Sequence, residues 1–315
     1  TPDDVGQLDT RLGRVFAEAA ARLLAVSGVP ASAVRAIGSH GQTLLHRPRG
    51  DAPFTLQIGD PSLIAERCGI DVVADFRRRD MAAGGEAAPL APAFHAAAFG
   101  RKGEAVAVAN IGGIGNVTLI DTTGHVLGFD TGPGNCLMDL WAQRTLGQPF
   151  DRDGALAAEG SVDEPLLARL MAEPYLALPF PKSTGRELFN TAWFEPLLGD
   201  APLTPADVQA TLNEYTARTL GDSITELAGL DPAALYVCGG GAFNRELMRR
   251  LQQRLPRARV TDTGALGIPP DQVEAALFAW LAHRRIENLP GSLPSVTGAR
   301  GARVLGAIYS GVISL

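Results

Sequence analysis

The sequence predicts an α/β protein, and two observations support that prediction. Short apolar runs typical of buried strands, such as "VVADF" and "ALYVC", alternate with longer segments whose apolar residues recur at helical spacing. Strands that alternate with helices in this way indicate a sheet with many parallel strands. The length of 315 residues, of which 46% are hydrophobic and 20% charged, fits about two domains of ~100–200 residues each.

The first third of the chain contains helices and strands with recognisable ends. "LDTRLGRVFAEAAARLLAVSG" predicts a helix that stops at Gly28. Strands are predicted for "AVRAIGSH", "PFTLQIGD" and "GIDVVADF". Between the last two strands, "DPSLIAERCG" predicts a helix with Asp60 as its N-cap and Pro61 as its first residue. "PLAPAFHAAAFG" predicts a further helix, rich in small residues.

After residue 104 the sequence pattern changes from a helix rich in small residues to successive strands, and this change indicates a second domain. "AVAVANIGG", "NVTLI" and "HVLGFD" predict successive strands joined by tight turns, and a mostly helical stretch follows them. "ALYVCGGGAFNRELMRRLQQRL" repeats the order of strand, glycine turn and helix, and "PDQVEAALFAWLAHRR" predicts one more helix. The last segment, "SVTGARGARVLGAIYSG", is expected to return as a strand to the first domain. The predicted division is therefore 1–104 plus 292–315 for the first α/β domain and 105–291 for the second.

Charge and composition exclude several classes of partner. The formal net charge is −6 with no block of like charges, which argues against a general nucleic-acid or anionic-membrane binder. No apolar run reaches the ~20 residues of a membrane span, and "TPDDVGQLDT" lacks the blocks of a signal peptide. The three cysteines are far apart and have no CxxC spacing, so neither a zinc site nor a disulfide framework is expected. These features predict a cytoplasmic protein.

Three glycine-rich turns each follow a predicted strand: "NIGGIGN" at 110–116, "DTGPGN" at 130–135 and "CGGGAFN" at 238–244. Backbone N–H groups in such turns can approach phosphate oxygens closely, and a following helix N-terminus favours the negative charge. The alternative is that each glycine only permits a positive φ in a tight turn, and this alternative stays open. None of the turns matches the GxxxxGK[ST] phosphate loop. A dinucleotide fingerprint would need a helix after "NIGGIG", where the sequence predicts a strand.

Asp130 is the acid of the second turn, and two roles remain for it. Its carboxylate can accept N–H bonds from its own turn, which is the more common role for this residue type. It can also act as a general base beside a phosphate-binding loop and take a proton from water or from a sugar hydroxyl. The turn alone does not decide between these roles.

Other polar residues are candidates for ligand contacts, each with a structural alternative. "DFRRRDMAAGG" places three arginines, 77–79, after a strand, where a guanidinium can hold a carboxylate or phosphate or remain in solvent. His40 ends a strand and Glu274 borders the apolar side of a helix, so either can be structural or can face a ligand. The loop "FPKSTGRELFN" either closes over a ligand or is an exposed connector with Thr184 as a cap.

Taken together, the sequence strings resemble one family, the anhydro-N-acetylmuramic acid kinases. The segments that carry the resemblance run in order from residue 37 to about 298: "IGSHGQTLLHRP", "TLQIGDPSLIAE", "VVADFRRRDMAAGG", "APLAPAFH", "NIGGIGNVTLI", "GFDTGPGNCLMD", "FPKSTGRELFN", "CGGGAFN" and "LPSVTGA". The resemblance implies a two-domain actin-like ATPase fold, the sugar kinase and Hsp70 type, with an interdomain cleft that binds ATP and Mg²⁺. The implied reaction opens 1,6-anhydro-N-acetylmuramic acid with water and phosphorylates its 6-oxygen, which yields N-acetylmuramic acid 6-phosphate in peptidoglycan recycling.

The resemblance also implies roles for individual residues and for partners. Asp130 would be the catalytic base. Sugar contacts would come from His40, Arg79, Thr131, Gly132, Asn135 and Glu274. Nucleotide contacts would come from Asn110, Gly112, Gly113, Gly239, Gly240, Gly241 and Asn244. No residue is assigned as a metal ligand. The partners would be the anhydro amino sugar and ATP, with a homodimer as the candidate assembly.

The sequence also departs from the family pattern. The family begins with a strand and a Gly-Thr-Ser-containing loop around the ATP phosphates, whereas this sequence opens at a helix-like pattern. Glu86 in "GGEAAPL", Gly115 in "NIGGIGN" and Phe243 in "CGGGAFN" replace the residues usual for the family. A second function therefore stays open beside the kinase, namely a non-catalytic sugar- or nucleotide-binding relative that lost turnover with the first phosphate loop.

Overall fold

The computed structural model describes residues 1–180, 182–199 and 202–311, and it confirms the α/β class. Contacts group the chain into two units, Thr1–Phe94 with Glu274–Leu315, and His95–Val273. The division predicted from the sequence, at 104/105 and 291/292, stays a prediction about the domains. Among the described helices, none is both long enough and apolar enough to cross a membrane.

The first unit is built on a three-stranded sheet and a separate hairpin. Its helices are α1 (Pro2–Ser27), α2 (Pro61–Cys68), α3 (Arg78–Ala82), the first part of α4 (Ala91–Phe99), nearly all of α11 (Val273–Ile286) and α12 (Pro294–Thr297). Its strands are β1 (Ile37–Gly38), β2 (Gln42–Arg47), β3 (Phe54–Ile58), β4 (Val72–Ala74) and β10 (Ala307–Tyr309). β4 pairs in parallel with β1 and antiparallel with β10, and β2 pairs with β3. The predicted strand in the last segment is confirmed as β10, which pairs with β4.

Local signals set the helix ends of this unit as the sequence predicts. Gly28 ends α1 in the left-handed conformation with φ 68°, a position that glycine adopts without strain. The Asp60 side chain caps α2 by accepting the backbone N–H of Ser62 at 2.9 Å. Gly13 and Ala17, rather than the larger apolar residues of α1, are buried against the unit. At Gly13, α1 approaches the start of α2 so closely that an added Cβ would lie 3.0 Å from the backbone oxygen of Asp60.

The second unit is built around a five-stranded sheet. Its strands are β5 (Val106–Ile111), β6 (Ile114–Ile120), β7 (Val126–Pro133), β8 (Ala234–Cys238) and β9 (Arg259–Asp262). Its remaining helices are α5 (Cys136–Leu146), α6 (Ala155–Glu159), α7 (Glu164–Met171), α8 (Thr191–Leu198), α9 (Pro205–Asp222) and α10 (Arg245–Arg254). The strand order is β7-β6-β5-β8-β9, with β5, β6 and β7 antiparallel and β5, β8 and β9 parallel. The predicted run of strands joined by tight turns is confirmed.

The core of this unit places α9 against the sheet and the surrounding helices. Apolar side chains from β5, β6 and β8 share one buried cluster with Phe194 of α8 and with Leu212 and Tyr215 of α9. α9 also buries polar side chains, among them Asn213 and Thr216. The Thr216 hydroxyl donates to the backbone oxygen of Gly134 at 2.9 Å, so this helix supports the turn that follows β7. The core of this unit thus helps to fix the turn between β7 and α5.

Candidate active site

The first two glycine-rich turns are bound to each other. Asn135 donates its backbone N–H to the Gly112 oxygen at 2.7 Å and its side-chain amide to the Ile111 oxygen at 3.0 Å. Gly134 donates its backbone N–H to the Gly113 oxygen at 2.9 Å. An added Cβ at Gly134 would lie 2.4 Å from the Gly112 oxygen, so only glycine permits this approach. The β5–β6 turn and the turn before α5 thus form one backbone assembly.

The third glycine-rich turn lies against the same assembly. β5 and β8 are parallel neighbours, and their ends bring Asn110 opposite Cys238. Gly239 has φ 77°, and an added Cβ would lie 2.6 Å from the Asn110 side-chain oxygen. An added Cβ at Gly240 would lie 3.3 Å from the Asn135 amide nitrogen. All three turns identified in the sequence therefore converge at one end of the sheet.

A cavity of about 440 Å³ opens beside these turns. Its lining residues come from the start of α5, from 150–153 and from the third turn: Asn135, Met138, Asp139, Phe150, Asp151, Arg152, Asp153, Gly240, Phe243 and Asn244. Asn244 also caps α10, because its side-chain oxygen accepts the Leu247 N–H at 3.0 Å. The volume and the two phenylalanines suit a planar aromatic group such as a nucleobase.

Asp139 is an acid of this cavity that sequence reasoning missed. Burial raises its pKa to about 6, and the nearby positive charge of Arg186 limits the rise. It lies in the first turn of α5, two residues before the apolar Trp141. The only sequence signal was an acid within the otherwise apolar "CLMDLWA", at a position where a helix N-terminus begins.

Asp130 lies within β7 and not at the mouth of its turn, because β7 continues to Pro133. The β6–β7 register shifts between Gly115 and Asn116, so Thr131 is an extra residue between two paired positions. Such a bulge redirects the side chains beside it. The Asp130 carboxylate is consequently bound by a distant loop, which argues against the interpretation in which it stabilises its own turn.

That loop holds Asp130 through several bonds. The Ser183 hydroxyl donates to the Asp130 Oδ2 at 2.9 Å, and the Thr184 backbone N–H donates to the same atom at 3.1 Å. The backbone of Asp130 is fixed as well, since its oxygen accepts the Tyr175 hydroxyl at 2.7 Å and its N–H donates to the Lys182 oxygen at 3.2 Å. These bonds fix the backbone of Asp130 and one of its two carboxylate oxygens, Oδ2.

Burial raises the pKa of Asp130 above its ordinary value, and the two hydrogen bonds from Thr184 and Ser183 oppose that rise. The negative charge of Glu187 raises the pKa of Asp130 further. A partly desolvated carboxylate with a raised pKa is a stronger base than an exposed one. This is the environment expected for a general base.

Thr131 and Gly132, expected to contact the sugar, are used within the sheet. The Thr131 side chain is buried, and its hydroxyl donates to the Gly115 oxygen at 3.2 Å. Gly132 has φ 145° and lies beside Leu176, whose side chain an added Cβ would approach to 3.3 Å. Both residues shape the bulge that positions Asp130, and their sugar contacts stay a prediction.

In the first unit, His40 is bound by Arg77. The Arg77 Nε donates to the His40 Nε2 at 3.0 Å, and the His40 ring lies 4.6 Å from the Phe278 ring. Burial and the charge of Arg77 lower the pKa of His40 to about 4, so the imidazole is neutral near pH 7. The charge of Glu274 raises the pKa of Arg77 and so opposes the lowering caused by burial. His40 and Arg77 therefore form a hydrogen-bonded pair, and Glu274 is an exposed acid whose charge acts on Arg77.

Arg79 lies elsewhere in the same unit. It is exposed and lines a cavity of about 450 Å³ together with Asp75, Arg78 and Arg285. Arg77, and not Arg79, is the arginine that contacts His40. Asp75 follows β4 with φ 57°, a strained conformation for a residue other than glycine. Sequence reasoning missed Asp75, although an acid directly after a buried strand was the available signal.

Glu86, which departs from the family pattern, is paired with Arg49 at 2.9 Å. Its charge is therefore offset within the first unit. No group of three or more His, Cys, Asp or Glu side chains suited to a metal ion occurs among the residues that the structure describes.

A half-buried, hydrogen-bonded carboxylate beside glycine turns, whose backbone N–H groups can bind an anion, is suited to phosphoryl transfer. The particular family follows from the sequence comparison, because the family model "Anhydro-N-acetylmuramic acid kinase" matches residues 1–311. The chain therefore belongs to this family. The actin-like sugar-kinase fold that the resemblance implies stays a prediction.

Curated relatives give the same result. A protein of Xanthomonas campestris pv. campestris is 55% identical over 307 residues, which cover 98% of this chain and 81% of the relative. A Vibrio parahaemolyticus protein is 51% identical over 306 residues, covering 97% of this chain and 83% of the relative. A Variovorax paradoxus protein is 56% identical over 306 residues, which cover 95% of this chain and 81% of the relative. All three are named anhydro-N-acetylmuramic acid kinase.

Among solved structures, an activator of 2-hydroxyisocaproyl-CoA dehydratase from Clostridium difficile with bound ADPNP is similar over 69% of this chain and 70% of its own. It is 15% identical with a TM-score of 0.33.

Proposed function

We propose that this chain is an ATP-dependent kinase that opens 1,6-anhydro-N-acetylmuramic acid with water and phosphorylates its 6-oxygen. The near-full-length match to the family and to its named relatives carries this conclusion. The geometry around Asp130 supports it, because the reaction needs a base, and the Asp130 carboxylate is held by hydrogen bonds from Ser183 and Thr184 near the glycine turns.

Asp130 is the proposed base of the reaction. Its carboxylate takes a proton from water while the water oxygen bonds to the anomeric carbon of the sugar. The bond from that carbon to the 6-oxygen breaks, and the electron pair on the 6-oxygen forms a bond to the γ-phosphorus of ATP. The bond from that phosphorus to the ADP oxygen then breaks. Sugar, ATP and water give sugar 6-phosphate, ADP and one proton, so atoms and charge balance.

The convergent turns are the proposed nucleotide site. We propose that the base and ribose occupy the cavity lined by Phe150 and Phe243, and that the phosphates extend toward Gly112, Gly113 and Gly239. Mg²⁺ usually keeps several waters and binds protein through one or two carboxylates together with substrate phosphates. We therefore propose that Mg²⁺ enters with ATP, a mode that needs no cluster of three acidic residues.

His40, Arg77 and Glu274 form the proposed sugar side. A neutral His40 can share a hydrogen bond with a sugar hydroxyl, and the acid and the guanidinium can bind hydroxyl or carboxylate groups. Arg79 stays a candidate for the sugar carboxylate through its separate cavity.

The first experiment is a coupled assay of ADP release with the anhydro sugar, with N-acetylmuramic acid, or with no sugar. We expect ADP release only with the anhydro sugar, and we expect a chelator of Mg²⁺ to abolish it. ADP release that does not depend on the sugar, or that is equally fast with the ring-opened sugar, would contradict the proposed reaction.

A pair of substitutions tests Asp130 through its pKa. A general base works as the carboxylate, so activity falls as the pH decreases through its pKa. Ser183→Ala removes a hydrogen bond that lowers the Asp130 pKa, and Glu187→Gln removes a charge that raises it. We expect the acid limb of kcat/KM against pH to move to higher pH in the first variant and to lower pH in the second. Movement in the same direction in both variants would argue against Asp130 as the titrating base.

The homodimer and the cytoplasmic location remain predictions. Light scattering of the purified chain measures the first, and fractionation of the source cells measures the second.

A further inference from the structure

Arg186 lies in the loop "FPKSTGRELFN", and the proposed reaction gives this arginine no role. The loop that holds Asp130 continues through Gly185 and Arg186 to Asn190, and the side chain of Arg186 lies on the turn between β5 and β6. An added Cβ at Gly113 would lie 2.6 Å from the Arg186 Nη2 and 2.7 Å from its Nε. The guanidinium thus occupies the space that a side chain at Gly113 would fill.

The loop presents Arg186 from a fixed base. Phe189 is buried and packs edge-on against Tyr175 and Trp193. The Asn190 side chain donates to the backbone oxygens of Glu187 at 2.8 Å and of Arg186 at 3.3 Å. On the other side, the Lys182 Nζ donates to the Leu176 oxygen at 2.8 Å. Both ends of the loop are therefore tied to the core of the second unit.

The guanidinium itself remains available. Arg186 is exposed and forms no ion pair with any carboxylate in the part of the chain that the structure describes. Its charge nevertheless acts at the start of α5, because it lowers the pKa values of Asp139 and Cys136 that burial raises. An unpaired arginine beside a backbone turn with glycines is suited to a doubly charged oxyanion group.

We propose that Arg186 binds the terminal phosphoryl group of ATP at the Gly112–Gly113 turn. This inference deepens the proposed function and rests on it. Because Ser183 and Thr184 of the same loop hold Asp130, contact between Arg186 and the phosphoryl group also steadies the base. The loop therefore links the two ends of the reaction, the attack of water and the phosphoryl transfer.

The test compares a non-hydrolysable ATP analogue with ADP, since only the first carries the terminal phosphoryl group. Binding of each is measured by calorimetry for wild type, Arg186→Met, Arg186→Lys and a control, Arg257→Ala. Arg257 is an exposed arginine of the same unit that pairs with Asp231 at 2.7 Å, far along the chain from the loop. Melting temperatures of all variants check the fold.

We expect Arg186→Met to lower the affinity for the ATP analogue by about 10- to 100-fold and the affinity for ADP by less than about 3-fold. Arg186→Lys should fall between Met and wild type, because it keeps the charge without the two-pronged geometry. In turnover, Arg186→Met should lower kcat by about 100-fold or more with a smaller change in the KM for sugar. Arg257→Ala should match wild type throughout.

If Arg186→Met lost affinity for the analogue and for ADP to the same extent, the inference would be overturned. A folded variant that lost affinity for neither would overturn it as well. If the wild-type chain releases no sugar-dependent ADP, the proposed function fails. The comparison of analogue with ADP still decides the role of Arg186 in that case, so the two failures are distinguishable.

Discussion

Asp130→Asn is expected to lower kcat by about 100- to 10,000-fold, the range that a general base contributes. The substitution removes the ability to take a proton from water. It keeps an oxygen that can accept the Thr184 N–H, which now lies 3.1 Å from the carboxylate. Binding of the ATP analogue and the melting temperature should therefore stay close to wild type. The measurement is steady-state turnover with the anhydro sugar, together with calorimetry.

The matched control for this variant is Asp121→Asn. Asp121 lies in the turn before β7, where its carboxylate accepts the Thr123 hydroxyl and the His125 N–H in an exposed site. The same chemical change there should leave kcat within about 2-fold, because surface substitutions are usually mild. If Asp130→Asn retained wild-type turnover, Asp130 would not be the base. Loss of turnover together with loss of the fold would assign it a structural role instead.

Gly239→Ala is expected to disrupt the nucleotide site. With φ 77° and ψ −176°, Gly239 has a conformation that is nearly confined to glycine, and other residues adopt it at a cost of about 1–3 kcal/mol. The new Cβ would also lie 2.6 Å from the Asn110 side-chain oxygen and 2.8 Å from the Ile111 backbone oxygen. The end of β5 would have to move. We expect the free energy of unfolding to fall by about 2 kcal/mol or more and ATP-analogue affinity to fall at least about 10-fold.

Gly229→Ala is the control that separates the effect of backbone strain from the effect of a steric clash with neighbouring atoms. Gly229 also has a positive φ, 65°, but an added Cβ there would meet nothing within 4 Å. We expect a loss of about 1 kcal/mol in stability and unchanged affinity for the ATP analogue. Equal effects of the two substitutions on the affinity would contradict the assignment of the third glycine turn to the nucleotide site. Denaturant unfolding and calorimetry provide the two measurements.

The sequence was most informative where structure depends on neighbouring residues. The cap at Asp60 and the stop at Gly28 each rest on one side chain and the few residues around it, and both were predicted. The glycine runs that follow predicted strands likewise indicated three turns at strand ends. Because β5 and β8 are parallel neighbours, their ends had to lie together. Convergence of the turns followed from topology.

The surroundings of Asp130 could not be predicted in the same way. Its partners, Ser183 and Thr184, lie more than fifty residues along the chain and carry no local signal that they face an acid. The β-bulge at Thr131 depends on the pairing of β6 with β7, which a hydrophobic pattern does not specify to one residue. The loop sequence "FPKSTGRELFN" was identified as either a ligand loop or a connector, and its Pro181 lies outside the described residues.

The choice among the three arginines shows a similar limit. Residues 77–79 are chemically identical, and only the start of α3 at Arg78 decides which side chain turns inward. Arg77 precedes the helix and reaches His40, while Arg79 lies on the helix, exposed at the cavity that it lines with Asp75, Arg78 and Arg285. A sequence pattern cannot separate consecutive identical residues when the helix start is uncertain by one or two positions. The structure therefore adds Arg77 to the sugar-side candidates.

The central claim is that ring opening by water and phosphorylation occur together in one turnover. Its most direct test is the composition of the product by mass spectrometry, with ³¹P NMR to identify the phosphorylated oxygen. The account predicts one product that contains the sugar, one water and one phosphoryl group on the 6-oxygen, with one ADP released for each product. A phosphorylated sugar whose 1,6-anhydro ring is intact, or a ring-opened sugar without phosphate, would contradict it.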